Sequence, residues 1–157
     1  VYDFLPKSIN KLAECGFLNC GFVIMPNHIH LLIFAQEKNR GLNKALSEFK
    51  RFLAYEIVKR LKEKKQTELL QTLEEGVAKN EKLIGKRHQV FRLSFDAKEL
   101  STNTDLLEIL EYMHHNPVKG KWMLTDDYRL YPHSSAGYYE KELKCIYPIW
   151  DYREMEQ

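Results

Sequence analysis

Two histidines, His28 and His30, stand one residue apart in the stretch Met25-Pro26-Asn27-His28-Ile29-His30-Leu31-Leu32-Ile33. Pro26-Asn27 punctuates the chain as a turn. Beyond it, His28, His30 and Leu32 alternate with Ile29, Leu31 and Ile33. A strand here would set both histidines on one face and three aliphatics on the other. Two imidazoles so placed can chelate one metal ion. The plainer reading is a pair of polar residues on a solvent face, but inside an otherwise apolar strand each histidine needs a partner if buried. A second cluster of reactive types is Tyr112-Met113-His114-His115-Asn116-Pro117. Pro117 disfavours helix at Asn116, so a helix reaching this point ends there. Tyr112 and Asn116, four residues apart, then share one face at its C-terminal end. A lone tyrosine is usually a core or rim residue. This one is followed by His114, His115 and Asn116, all able to meet a metal or a phosphate.

If the histidine pair and Tyr112 face one another, they compose a site for phosphoryl transfer. A divalent metal on His28 and His30 would polarise a phosphodiester as a Lewis acid, and the side-chain oxygen of Asn116 could complete its coordination. Nitrogen and oxygen ligands with open positions accommodate Mg²⁺ or Mn²⁺. The Tyr112 phenol could attack phosphorus and form a covalent phosphotyrosine. Its ordinary pKa of about 10 means it needs help from the metal or a base. Such an intermediate conserves bond energy, so a strand could be cut and rejoined without ATP.

The elements that must position these residues are legible in outline. Ile9, Leu12 and Ala13 recur at helical spacing and Gly16 is a natural stop. Phe17 to Met25 reads as a strand, with the apolar run Phe22-Val23-Ile24-Met25 suited to a covered position. It pairs with His28 to Phe34 as a hairpin. After a polar loop, Leu42 to about Lys65 is an amphipathic helix with the stripe Leu42, Ala45, Leu46, Phe49, Leu53, Ile57 and Leu61. Its polar side carries Lys50 and Arg51 among other basic residues, diluted by Glu48, Glu56 and Glu63. Thr67 to Asn80 reads as a further helix with Leu69, Leu70, Leu73 and Val77 as its core side. Lys86 to Phe95 alternates as a strand, with Phe91, Leu93 and Phe95 toward the core and Lys86, Arg87 and His88 as a basic entry. Thr104 can cap the helix that carries Tyr112, with Asp105 in its first turn. The tail from Trp122 to Tyr152 is aromatic, better suited to packing than to stacking on bases for most of its rings.

Composition bounds the setting. The 157 residues form one domain, 1–157, with no repeat or linker. A net charge of +2 and a pI near 8.4 permit nucleic-acid binding without arguing for it. Cys15, Cys20 and Cys145 have no metal-type spacing and are odd in number, which favours a reducing, cytoplasmic setting. No stretch is long or apolar enough to span a membrane, and there is no signal-peptide pattern.

Val23-Ile24-Met25-Pro26-Asn27-His28-Ile29-His30-Leu31-Leu32 resembles the HUH signature of single-tyrosine transposases, in which a bulky apolar residue separates two histidines. Tyr112-Met113-His114-His115-Asn116-Pro117-Val118 resembles the tyrosine motif of the REP-associated tyrosine transposases. Asp127-Tyr128 and Ser134-Ser135-Ala136-Gly137-Tyr138-Tyr139 are similar to the pattern that follows it. The similarity runs from Phe22 to Tyr139. An HxH alone is weak; both motifs in order, with the tail, are strong.

The resemblance implies an α+β, ferredoxin-like sandwich, an antiparallel sheet carrying the histidines with helices packed on one face. It implies His28, His30 and Asn116 as metal ligands and Tyr112 as the nucleophile, leaving a 5′-phosphotyrosine and a free 3′-hydroxyl. The substrate would be single-stranded DNA beside an imperfect hairpin, met in the cytoplasm at the nucleoid. Lys50, Arg51, Lys86 and Arg87 are candidates for the DNA surface on charge and position only.

This chain departs from the family pattern in three places. The family usually has a further strand before the first helix, so either residues precede Val1 or the chain is a fragment. Phe91 stands where relatives often carry Trp. His115 could bind the metal in place of, or beside, Asn116. A histidine-triad nucleotide hydrolase would need a third alternating histidine, and Leu32 occupies that position. A domesticated hairpin-DNA-binding protein without cleavage is the alternative function. Gly120 follows the motif rather than preceding the helix, so no hinge for exchanging the helix between subunits is evident, and the site is expected within one chain.

Overall fold

The computed structural model describes residues 2–92 and 95–155. Helix α1 (Leu5–Glu14) buries Leu5, Ser8, Ile9 and Leu12 on its inner face. Gly16 ends it with φ of +87°, and a Cβ there would lie 2.6 Å from the Lys38 carbonyl oxygen, so both the turn and the close approach require glycine. Strand β1 (Phe17–Ile24) turns through Pro26-Asn27 into β2 (Ile29–Ala35), and the two pair antiparallel. The register sets Ile24 opposite Ile29, Val23 opposite His30 and Phe22 opposite Leu31, with a bulge between Asn19 and Gly21. This is the hairpin expected from the alternation.

The alternation of β2 divides the protein into two cores. Ile29, Leu31 and Ile33 pack with Phe22, Ile24 and Phe17 against α1 and α2 (Leu42–Glu63). Ala45, Phe49 and Leu53 are the buried residues of α2, on the predicted stripe. Leu32 points the other way and joins Cys20, Val23 and Met25 under Leu110 and Met113 of α5 (Asn103–His114). Gly21 faces α5 as well: a Cβ there would fall 2.8 Å from Leu110 Cδ2. Helices therefore cover both faces of the hairpin, not one, because apolar residues occupy both sides of β1 and each side needs a cover.

The outer edge of β1 is closed by the C-terminal segment. Ile24 N–H donates to the His133 carbonyl and Ser135 N–H to the Phe22 carbonyl, each at 2.9 Å, around a single bridge between Val23 and Ser134. Trp150 N–H reaches the Asn19 carbonyl at 2.9 Å. The tail rings pack, as expected for most of them. Tyr147 meets Phe22 edge-on at 5.0 Å between centroids, and the Tyr131 hydroxyl donates to the Ile24 carbonyl at 2.9 Å. The short helix α6 (Ala136–Lys141) follows Ser135.

Three local expectations are corrected. The predicted helix 67–80 is two helices, Thr67–Glu75 and Lys79–Leu83, which become α3 and α4. Gly76 closes the first, and Leu69 lies exposed while Val77 is buried. Residues 86–92 form no strand. Gln89 N–H donates to the Leu73 carbonyl at 2.8 Å and the Arg92 carbonyl accepts from Lys50, so these backbone groups bond to helices rather than to a ladder. Phe91 packs against the first core, Phe95 is exposed, and Leu93 and Ser94 lie outside the described residues. The cap of α5 is Thr102 rather than Thr104. Its hydroxyl accepts from Asp105 N–H at 3.1 Å and meets the Asp105 carboxylate at 2.8 Å, a reciprocal cap.

Among the described residues the chain is α+β, with a two-stranded antiparallel sheet and six α-helices. None of its helices is long and apolar enough to cross a membrane. Cys15, Cys20 and Cys145 are free thiols.

Candidate active site

The site forms where the start of β2 meets the end of α5. His30 leaves β2 on the face opposite α1 and α2, the face shared with Leu32, and His28 sits just before the strand with its ring against that of His30. Their rings meet edge-on with centroids 4.8 Å apart. The Tyr112 ring stands edge-on to His30 at 6.1 Å. Strand and helix, far apart in sequence, thus bring both histidines and the tyrosine to one place. They do so because Leu32 and Met113, neighbours in sequence of these groups, share the second core.

The chemistry of each group follows from its contacts. His28 Nδ1 lies 2.8 Å from Asn27 Oδ1; because that oxygen only accepts, Nδ1 carries the hydrogen and Nε2 keeps its lone pair. Partial burial lowers the pKa of both histidines, and the neighbouring His28 lowers His30 further, so both rings are neutral near pH 7. The Tyr112 side chain lies open, at 59% exposure, so a chain molecule can reach its hydroxyl. Asn116 lies in the 3-10 turn Asn116–Val118 just past α5. Its Nδ2 donates to the carbonyls of Tyr112 at 3.0 Å and Met113 at 3.2 Å. These bonds satisfy helix-end acceptors and leave Oδ1 as the atom available to a ligand.

The other candidates lie elsewhere. His115 Nδ1 donates to the Glu111 carbonyl at 2.8 Å, and its ring stacks on Tyr128 at 4.0 Å. It joins no group with His28 and His30: among the described residues no three His, Cys, Asp or Glu side chains come together as a metal-holding group. Lys50 and Arg51 ride on α2, behind the sheet relative to the histidines; Arg51 is exposed. Lys86 is paired with Glu81 at 2.7 Å, and Arg87 is exposed.

In the sequence His114 stands as one more metal- or phosphate-capable residue. It is buried instead, 3% exposed, with Nε2 2.8 Å from Ser135 Oγ. Burial, with a smaller contribution from His115, pushes its pKa down to about 4. Its 3.8 Å approach to Glu140 is therefore not an ion pair near neutral pH. Ser135 was visible only as part of a small-residue run; its contact with His114 is long-range and has no local signal.

No family model matches the chain, and no curated protein or solved structure matches it either.

Proposed function

We propose that this protein is a metal-dependent single-stranded DNA endonuclease and strand transferase of the REP-associated tyrosine transposase type, acting at hairpin DNA through a covalent 5′-phosphotyrosine. The observation that carries the reading is the meeting of His28, His30 and Tyr112 at ring separations of 4.8 and 6.1 Å within one chain. A ferredoxin-like fold is part of the proposal, and the order α1, β1, β2, α2 around the hairpin is what supports it.

The donors fit a divalent cation. Two neutral imidazoles stand together at the start of β2, and an amide oxygen is available four residues beyond the tyrosine. His28, His30 and Asn116 would hold Mg²⁺ or Mn²⁺, which when bound supplies Lewis-acid polarisation of a phosphodiester. Tyr112 supplies the nucleophile. Its oxygen forms the bond to phosphorus as the bond from phosphorus to the 3′-oxygen breaks. The phenol proton leaves, and the departing 3′-oxygen ends as a hydroxyl. Attack by a 3′-hydroxyl on the phosphotyrosine reverses these steps and rejoins a strand without ATP. An exposed tyrosine on a rigid helix end suits a strand that can lie across the site; a duplex holds its backbone less freely. His28, His30 and Tyr112 meet within one chain, which supports a monomer. The place of action is the cytoplasm, at the nucleoid. Arg51 and Arg87, both exposed, remain the candidates for more distant phosphate contacts.

The test is incubation of labelled single-stranded hairpin oligonucleotides from the flanks of the protein's own gene with Mg²⁺ or Mn²⁺, resolved on a gel that keeps covalent adducts. A metal-dependent adduct lost in Tyr112→Phe is expected. Binding across a range of flanks without any adduct would instead identify a hairpin-binding protein that does not cut.

A further inference from the structure

The face of α5 opposite Tyr112 carries a polar contact in an otherwise apolar core. His114 follows Tyr112 by two residues, so it leaves the helix on the other side, where it is 3% exposed. Its Nε2 meets Ser135 Oγ at 2.8 Å. Ser135 is wholly buried, and the same oxygen meets β1 twice, accepting from Phe22 N–H at 3.0 Å and lying 3.2 Å from the Phe22 carbonyl oxygen. Phe22 sits opposite Leu31, beside His30 in the ladder. One hydroxyl thus joins the last turn of the tyrosine helix to the strand that holds the histidine strand in register. Apolar packing by Leu110 and Met113 presses α5 onto the sheet, but it is weakly directional. A hydrogen bond to a buried partner fixes both the rotation of the last turn and its height.

Resting on the phosphotyrosine reading above, we infer that Ser135 and His114 are positioning residues: their hydrogen bond sets where Tyr112 stands relative to His30. Neither touches the reacting atoms, and Ser135 is closed to substrate. A second grip lies nearby. The Tyr128 hydroxyl donates to Glu140 at 2.7 Å and its ring stacks on His115, so the residues just after Tyr112 are held from both sides.

The experiment compares wild type with Ser135→Ala, His114→Leu and His114→Gln. It measures the single-turnover rate of adduct formation and the affinity for a hairpin oligonucleotide. It also records the ¹⁹F resonance of 3-fluorotyrosine placed at Tyr112. Ser135→Ala and His114→Leu should each slow adduct formation by about 10- to 100-fold with hairpin affinity nearly unchanged. The double variant should be no slower than the worse single one. His114→Gln, which keeps a nitrogen donor of similar reach, should recover much of the rate. The fluorine signal should shift or broaden in both loss variants and return in His114→Gln.

A wild-type rate in His114→Leu would overturn the inference. So would rate and affinity falling together in proportion to the folded fraction, which is the mark of a merely structural bond. If wild type forms no adduct, the functional reading fails on its own, and the fluorine signal still decides: no change in either loss variant refutes positioning.

Discussion

The two faces of the β1–β2 hairpin are built to different ends. On one, Ile29, Leu31 and Ile33 meet Leu12, Phe49 and Leu53 in a continuous apolar core. On the other, only Leu32 of β2 joins the core, while His28 and His30 stay half-buried at its border under the end of α5. The strand is the same and the backbone equally rigid, so the difference lies in the side chains alone. The first face supplies stability. The second uses that rigidity to hold polar groups that gain little from where they stand, the pattern expected of a site supported by a scaffold.

This contrast can be broken most severely in the first core. Leu53→Ala, at a residue 1% exposed, should cost about 3 kcal/mol or more of folding stability in a denaturant titration. The double change His28→Ala and His30→Ala should alter stability by less than about 1 kcal/mol while abolishing adduct formation. Comparable losses at the two faces would erase the distinction. A middle-sized effect is expected at Gly21→Ala. The new methyl would press on Leu110 Cδ2 and Leu32 Cβ, at 2.8 and 3.3 Å, so the Leu110 side chain must shift beneath α5. We expect about 1 to 2 kcal/mol of destabilisation, with adduct formation reduced more than hairpin binding.

The smallest effect concerns the tail that closes β1. The side-chain hydrogen bonds from Arg153, then its backbone N–H and the Tyr138 hydroxyl, hold the Asp151 carboxyl down to about 2 despite the opposing effect of burial. A carboxyl held below its unfolded value, near 3.9, contributes stability that is complete above about pH 4 and is lost as pH falls toward about 2. Acid unfolding of Asp151→Asn should lack this part of the pH dependence. Equal slopes for the two proteins between pH 4 and 2 would show that the bond has no such role.

Much of this arrangement could be read from residues whose information is local. Period-two alternation fixed the hairpin and the face of His28 and His30, and Pro117 with the four-residue spacing fixed the end of α5 beside Tyr112 and Asn116. The same alternation predicts a strand over 86–95, but residues 86–92 are coil. A coil that packs one residue, Phe91, against a core shows the same pattern without a partner strand. The cap of α5 is legible in the sequence as Thr102-x-x-Asp105, while Thr104 lies nearer the apolar run and competes with it as a candidate. The cover on the second face, the closing of β1 by His133–Ser135 and the bond from His114 to Ser135 all join distant segments. No local pattern encodes such pairings.

The central claim is that β2 and α5 build one site in which Tyr112 is the nucleophile. The chain has nine tyrosines, so the most direct measurement is to find which of them carries DNA. Wild-type protein would be trapped with a hairpin oligonucleotide and Mn²⁺, digested, and the nucleotide-bearing peptide sequenced by mass spectrometry. The account predicts a 5′-linked nucleotide on Tyr112 and on no other tyrosine, absent from the His30→Ala protein. Modification of a different tyrosine, or of Tyr112 at an undiminished rate without His30, would contradict it.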